Sequence, residues 1–122
     1  MHSERVADVG EDALLAQIFP ILPAGDATLL GPGDDAAVLA APDGRVVVST
    51  DVLVEGRHFR SDRGSPEALG RRAAAQNLAD VAAMGARPTA IVVGLVMPPS
   101  TPVAWVLGLA RGLAQGCAPH GV

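Results

Sequence analysis

Oxygen-bearing side chains without an obvious folding role fall in three places along the chain. The first is the stretch Gly31-Pro32-Gly33-Asp34-Asp35-Ala36-Ala37-Val38-Leu39, where two adjacent carboxylates sit in a Gly/Pro turn that runs into an apolar strand. Like charges side by side repel, and a turn needs only one of them. A hard cation such as magnesium, which takes oxygen ligands and bridges protein carboxylates to substrate phosphates, would compensate both. The second place is Ser49-Thr50-Asp51, where the apolar run ending at Val48 turns abruptly polar. The third is the pair Asn77 and Asp80, which helical spacing sets on one stripe with Leu69, Ala73 and Met84. Each has a bland alternative: a surface turn at Asp34 and Asp35, and an ion pair from Asp80 to Arg71, Arg72 or Arg87. The stripe around Asp80 is otherwise apolar, so the reading expects a buried acid that must be paired or metal-bound. Recurrence of acids in three separate segments favours metal. Strand alternation adds a constraint, because Ser49 and Asp51 share one face and Thr50 the other. Either a backbone carbonyl contributes or more than one ion is bound.

Val52 to Gly64 reads as a loop that carries His58 between Arg57, Arg60 and Arg63. Loops on a rigid scaffold often carry binding groups. A His among arginines, beside an acid cluster, suits an anionic substrate; the alternative is a solvated basic loop.

The elements that must position these groups can be taken in order. Glu11 to Phe19 predicts a helix with Leu14, Leu15, Ile18 and Phe19 on one side, stopped by Pro20 and Pro23. Ala36 to Ala40 predicts a strand, Pro42-Asp43-Gly44 a turn, and Arg45 to Thr50 a second strand, together a β-hairpin. Ser65 is a good N-cap, Pro66 suits the first helical position and Glu67 complements the positive helix end, so a long helix should run to Met84 before Gly85 and Pro88. Thr89 to Met97 predicts a buried strand. Val103 to about Gln115 predicts a last helix with Trp105, Leu109 and Leu113 on one face. The fold class expected is α/β of the α+β type, a mixed sheet flanked by helices.

Composition narrows the chemistry. The chain has 122 residues and 49% hydrophobic content, enough for one domain with a modest core. All 9 basic residues are Arg, so the lysine of a Walker A phosphate loop is missing. Aromatics at 2% leave no stacking platform for single-stranded nucleic acid, and a net charge of -4 argues against a phosphate-backbone binder. An anionic small molecule must therefore be held by metal ions or local arginine. The single cysteine, Cys117, excludes an internal disulfide and fits a reducing compartment. The N-terminus shows no secretory pattern, and the apolar stretch Ala90 to Met97 is too short to span a bilayer. The expectation is a cytoplasmic protein with no nucleic-acid or membrane partner.

Three ordered motifs carry a family resemblance: Gly33-Asp34-Asp35-Ala36-Ala37-Val38-Leu39, Ser49-Thr50-Asp51-Val52-Leu53-Val54-Glu55-Gly56-Arg57-His58-Phe59, and Asn77-Leu78-Ala79-Asp80-Val81-Ala82-Ala83-Met84-Gly85-Ala86-Arg87-Pro88. The chain resembles the N-terminal domain of the thiamine-monophosphate kinase family from about Glu11 onward. It shares a wider superfamily with aminoimidazole ribonucleotide synthetase, selenophosphate synthetase and a hydrogenase maturation factor. The Asp-x-Leu-x-Glu-Gly-x-His-Phe loop points to the kinase.

The resemblance implies an ATP-binding domain over residues 1–122, with ATP and thiamine phosphate as substrates, several magnesium ions, and a homodimer built through this domain. Carried over residue by residue, Asp35, Ser49, Thr50, Asp51 and Asp80 would bind metal and His58 would contact thiamine phosphate. Asp34 and Asn77 are weaker candidates. No residue is assigned to proton abstraction, because a phosphate acceptor is already anionic and the obstacle is repulsion between two anions. Against the family pattern, the chain ends before a further strand with its Gly-Gly-Asp turn and before a C-terminal domain, so the expectation is poor turnover by this stretch alone. Two alternatives stand beside the kinase: another synthetase of the superfamily, of the aminoimidazole ribonucleotide or selenophosphate type, and a non-catalytic, metal-stabilised dimerisation module.

Overall fold

The computed structural model describes residues 4–32, 36–48, 50, 52–57, 59–60 and 62–122. Two short helices open it, α1 (Val6–Val9) and α2 (Glu11–Ile18). Strand β1 (Thr28–Leu30) pairs antiparallel with β2 (Val38–Leu39). Strand β3 (Val52–Val54) leads into the long helix α3 (Pro66–Ala83), and α3 leads to β4 (Gly94–Val96), which pairs parallel with β3. Helix α4 (Val103–Cys117) and a single 3₁₀ turn (Ala118–His120) complete the chain. The architecture is α+β. Among the described residues the strands form two separate two-stranded sheets, where the sequence suggested one mixed sheet.

The expected hairpin is corrected. Its turn forms, with the Gly44 N–H donating to the Ala41 carbonyl at 3.0 Å, but residues 45–48 form no strand. β2 pairs instead with β1: Thr28 stands opposite Leu39, and the Ala40 N–H donates to the Ala27 carbonyl at 2.8 Å. The strand expected over Thr89 to Met97 shrinks to Gly94–Val96, the three residues that meet β3.

α3 begins as the sequence requires. The Ser65 hydroxyl accepts the Ala68 N–H at 3.0 Å, and Pro66 occupies the first turn where its missing N–H costs nothing. Parallel strands need a crossover, and α3 supplies it, so β3, α3 and β4 make a β-α-β unit.

The main core lies between α3 and α4, where Ala73, Ala74, Leu109, Leu113 and Cys117 are buried together. Small residues set the spacing. A methyl group built on Gly70 would stand 2.7 Å from the Leu113 nitrogen, and one on Gly116 would stand 2.6 Å from the Ala74 Cβ. On Gly112 it would run into the backbone carbonyl of Glu67. The backbones therefore approach too closely for any Cβ at these positions. Glu67 meets Gly108 and Gly112, Arg71 donates to Gln115 at 2.8 Å, and Ala74 meets Gly116. Residue numbers rise together along the seam, so the helices run parallel. Each follows a strand of the same parallel pair, and this direction is the result.

A second cluster, Leu14, Val103 and Val106, seats α2 against the start of α4. The N-terminal segment is tied there as well: the Val6 N–H donates to the Thr101 carbonyl at 2.9 Å and the Val103 N–H to the Glu4 carbonyl at 2.9 Å.

Candidate functional site

Of the residues singled out by sequence, Asp34, Asp35, Ser49, Asp51 and His58 lie outside the described residues. Thr50, Asn77 and Asp80 lie within them. Thr50 is exposed, two positions before β3 begins. Asn77 is half-buried in the middle of α3, and its side-chain amide donates to the Ala73 carbonyl at 2.8 Å, a bond back to the preceding turn.

Asp80 departs from expectation. It is exposed, and Met84, four residues on along the same stripe, is 72% exposed. The reason lies in the neighbouring helix. α4 ends at Cys117, just past the residue that meets Ala74, so the last turns of α3 have no helix beside them. Asp80 is solvated, not buried, and needs no neutralising partner to be stable there. No ion pair joins Asp80 to Arg71, Arg72 or Arg87, the partners that the simpler alternative required.

The crossover decides which end of the unit Asp80 occupies. A helix joining two parallel strands returns the chain toward the edge where the first strand began. The last turns of α3, with Asp80, thus belong to the end at which Thr50 precedes β3. A hard cation needs uncommitted oxygen donors. An exposed carboxylate free of arginine and an exposed threonine fit that requirement. Among the described residues no group of three or more His, Cys, Asp or Glu side chains comes together.

At the opposite end of α3 the loop after β3 is well tied. The Gly56 N–H donates to the Phe59 carbonyl at 2.7 Å, and the Arg63 N–H to the Arg60 carbonyl at 3.1 Å. Gly56 makes the first of these turns at φ 85°, a conformation open to glycine. Phe59 is buried and stacks on Trp105 of α4, with ring centroids 5.2 Å apart. The Trp105 indole N–H is itself buried and finds no acceptor among the described residues. Loop, helix start and Trp105 together line an open cavity of about 550 Å³ whose charged lining, among the described residues, is Arg57, Arg60, Arg63 and Arg72. Sequence reasoning picked out the loop arginines but missed Arg72 and Trp105, which reach the same cavity from α3 and α4.

The chain is similar to proteins of known name. A relative from Mycobacterium tuberculosis named thiamine-monophosphate kinase is 48% identical over 112 residues, which is 92% of this chain and 34% of that protein. One of the same name from Corynebacterium glutamicum is 55% identical over 85 residues, 68% of this chain and 26% of that protein. Another, from Synechococcus elongatus, is 42% identical over 114 residues, 93% and 33% respectively. The chain thus spans about a third of the length of the curated relatives it matches. No solved structure matches it. The model of one family covers residues 33–122, from the paired aspartates through both long helices, and by that match the chain belongs to the family described as AIR synthase related protein, N-terminal domain.

Proposed function

We propose that this chain is the N-terminal, ATP- and metal-binding domain of an enzyme that transfers a phosphoryl group from ATP to thiamine phosphate, giving thiamine diphosphate. The observation that carries this reading is the similarity, over more than nine-tenths of the chain, to proteins named thiamine-monophosphate kinase. The residues agree with it. Thr50 precedes β3 and Asp80 is exposed on the uncovered end of α3; we assign Asp35, Ser49 and Asp51 to the same set of hard oxygen donors, with Asp34 and Asn77 as weaker members. His58 lies in the loop beyond β3 and contacts thiamine phosphate. Magnesium, when bound, neutralises the phosphate oxygens, which is the main requirement of a transfer between two anions. The protein's own part is to hold those oxygens at fixed places on a strand end and a helix. No side chain is needed to remove a proton from an acceptor that is already a phosphate. The enzyme works as a homodimer in the cytoplasm. No helix among the described residues is long and apolar enough to cross a membrane.

Calorimetric titration of ATP and of thiamine phosphate, with and without magnesium, tests the reading. ATP is expected to bind this chain only when magnesium is present. In the enzyme that carries this domain, Asp51→Asn and Asp80→Asn should each remove magnesium-dependent turnover while leaving the melting temperature nearly unchanged. Normal turnover by either variant at limiting magnesium would reject the ligand set. The family match also admits another ATP-dependent synthetase. Turnover with an aminoimidazole precursor or with selenide, and none with thiamine phosphate, would favour that reading.

A further inference from the structure

The arginine-lined cavity at the start of α3 stands apart from the proposed metal ligands. Arg72, the cavity residue nearest Asp80 along α3, is eight residues from it, or about 12 Å at the helical rise, so one phosphate group does not bridge the cavity and Asp80. The cavity collects Arg57, Arg60, Arg63 and Arg72, four of the nine basic residues in a chain of net charge -4. Among the described residues no carboxylate lines it. Asp62 pairs with Arg60 at 3.2 Å, while Arg57, Arg63 and Arg72 have no ion-pair partner among the described residues. All four arginines are exposed, and guanidinium groups match phosphate oxygens in pairs. The helix start adds little by direct bonding: Pro66 has no N–H, the Ala68 N–H is taken by the Ser65 hydroxyl, and the Leu69 N–H by the Ser65 carbonyl. The arginines carry the site. Its remaining wall is apolar and flat, formed by Leu69 and the stacked rings of Phe59 and Trp105.

We infer that this cavity is a metal-independent site for a phosphate monoester, with the phosphoryl group between Arg57, Arg63 and Arg72 and the organic part against the Phe59–Trp105 wall. It uses none of the proposed metal ligands, but it shares its loop with His58, so the thiamine phosphate arm of its test rests on the activity proposed above, while the inorganic phosphate and AMP arms do not.

The chain offers its own probe. Trp105 is the single tryptophan, there is no tyrosine, and Trp105 lines the cavity, so intrinsic emission reports on this place alone. Titration in EDTA with inorganic phosphate, with thiamine phosphate and with AMP separates the phosphoryl contribution from that of the attached ring. A saturable emission change is expected for at least one of them. Arg63→Gln and Arg72→Gln should each weaken that ligand about ten-fold or more, as loss of a charge-assisted bond to phosphate implies. They sit on different elements, so both must fail to fold before the test is blocked, and circular dichroism reports folding. Metal-dependent ATP binding should survive in both variants, which separates this inference from the preceding one. No saturable response to any of the three ligands would overturn it, and so would unchanged affinity in both folded variants.

Discussion

Cys117 closes the last turn of α4 with 3% of its surface exposed, packed among Ala74, Leu113 and Val122. Burial pushes its thiol pKa up, because the thiolate has lost its water. The stabilisation this implies is full below the thiol's unfolded pKa and is lost as pH rises through the higher folded value, since the unfolded chain then ionises first. Iodoacetamide should therefore modify Cys117 slowly in the native protein at mildly alkaline pH, and fully once denaturant is added. Rapid native alkylation would place the thiol at the surface. At this scale the sequence was a good guide to chemical type and a poor one to burial. A lone Cys in an apolar helix reads as a small core residue, and it is one. Asp80 has the same helical periodicity as its buried neighbours, yet it is exposed, because its surroundings depend on where another helix ends.

Among the elements, the seam between α3 and α4 is the one most sensitive to added volume. Gly112→Ala would drive a methyl group into the Glu67 carbonyl, and backbone cannot turn aside as a side chain can. The expected loss is about 1–3 kcal/mol, read as a fall in the denaturation midpoint. Gly31→Ala, where a Cβ meets nothing within 4 Å, should change stability by less than about 0.5 kcal/mol. The start of α3 was legible because Ser65, Pro66 and Glu67 act on backbone groups within one turn. Strand pairing was not legible. Val46, Val47 and Val48 have strong strand propensity, but β2 finds its partner on the other side at Thr28–Leu30, a choice no local signal reveals. Gly108, Gly112 and Gly116 were also passed over, since a glycine in a helix reads first as a weakness and only beside a second helix as a place for close approach.

For the whole molecule, what is left uncovered matters most. Val46, Val48 and Val92 are 72%, 75% and 82% exposed, and Leu29 and Leu30 of β1 are exposed as well. Apolar residues exposed in this number commonly mark an interface. This supports the proposed homodimer, and sedimentation at micromolar concentration should give twice the mass of one chain. Val48→Asp combined with Val92→Asp should shift it toward one chain. A single-chain mass at every concentration would reject the dimer.

The cavity wall is divided between two stretches distant in sequence: the loop and first turns of α3 on one side, and Trp105 of α4 on the other. The depth at which the two helices nest, together with the Phe59–Trp105 stack, sets the separation of those halves. A bulkier residue anywhere along that nesting line, even one too mild to melt the protein, must prise the halves apart. Affinity for whatever the arginines hold should then decline first, while the melting curve still looks ordinary.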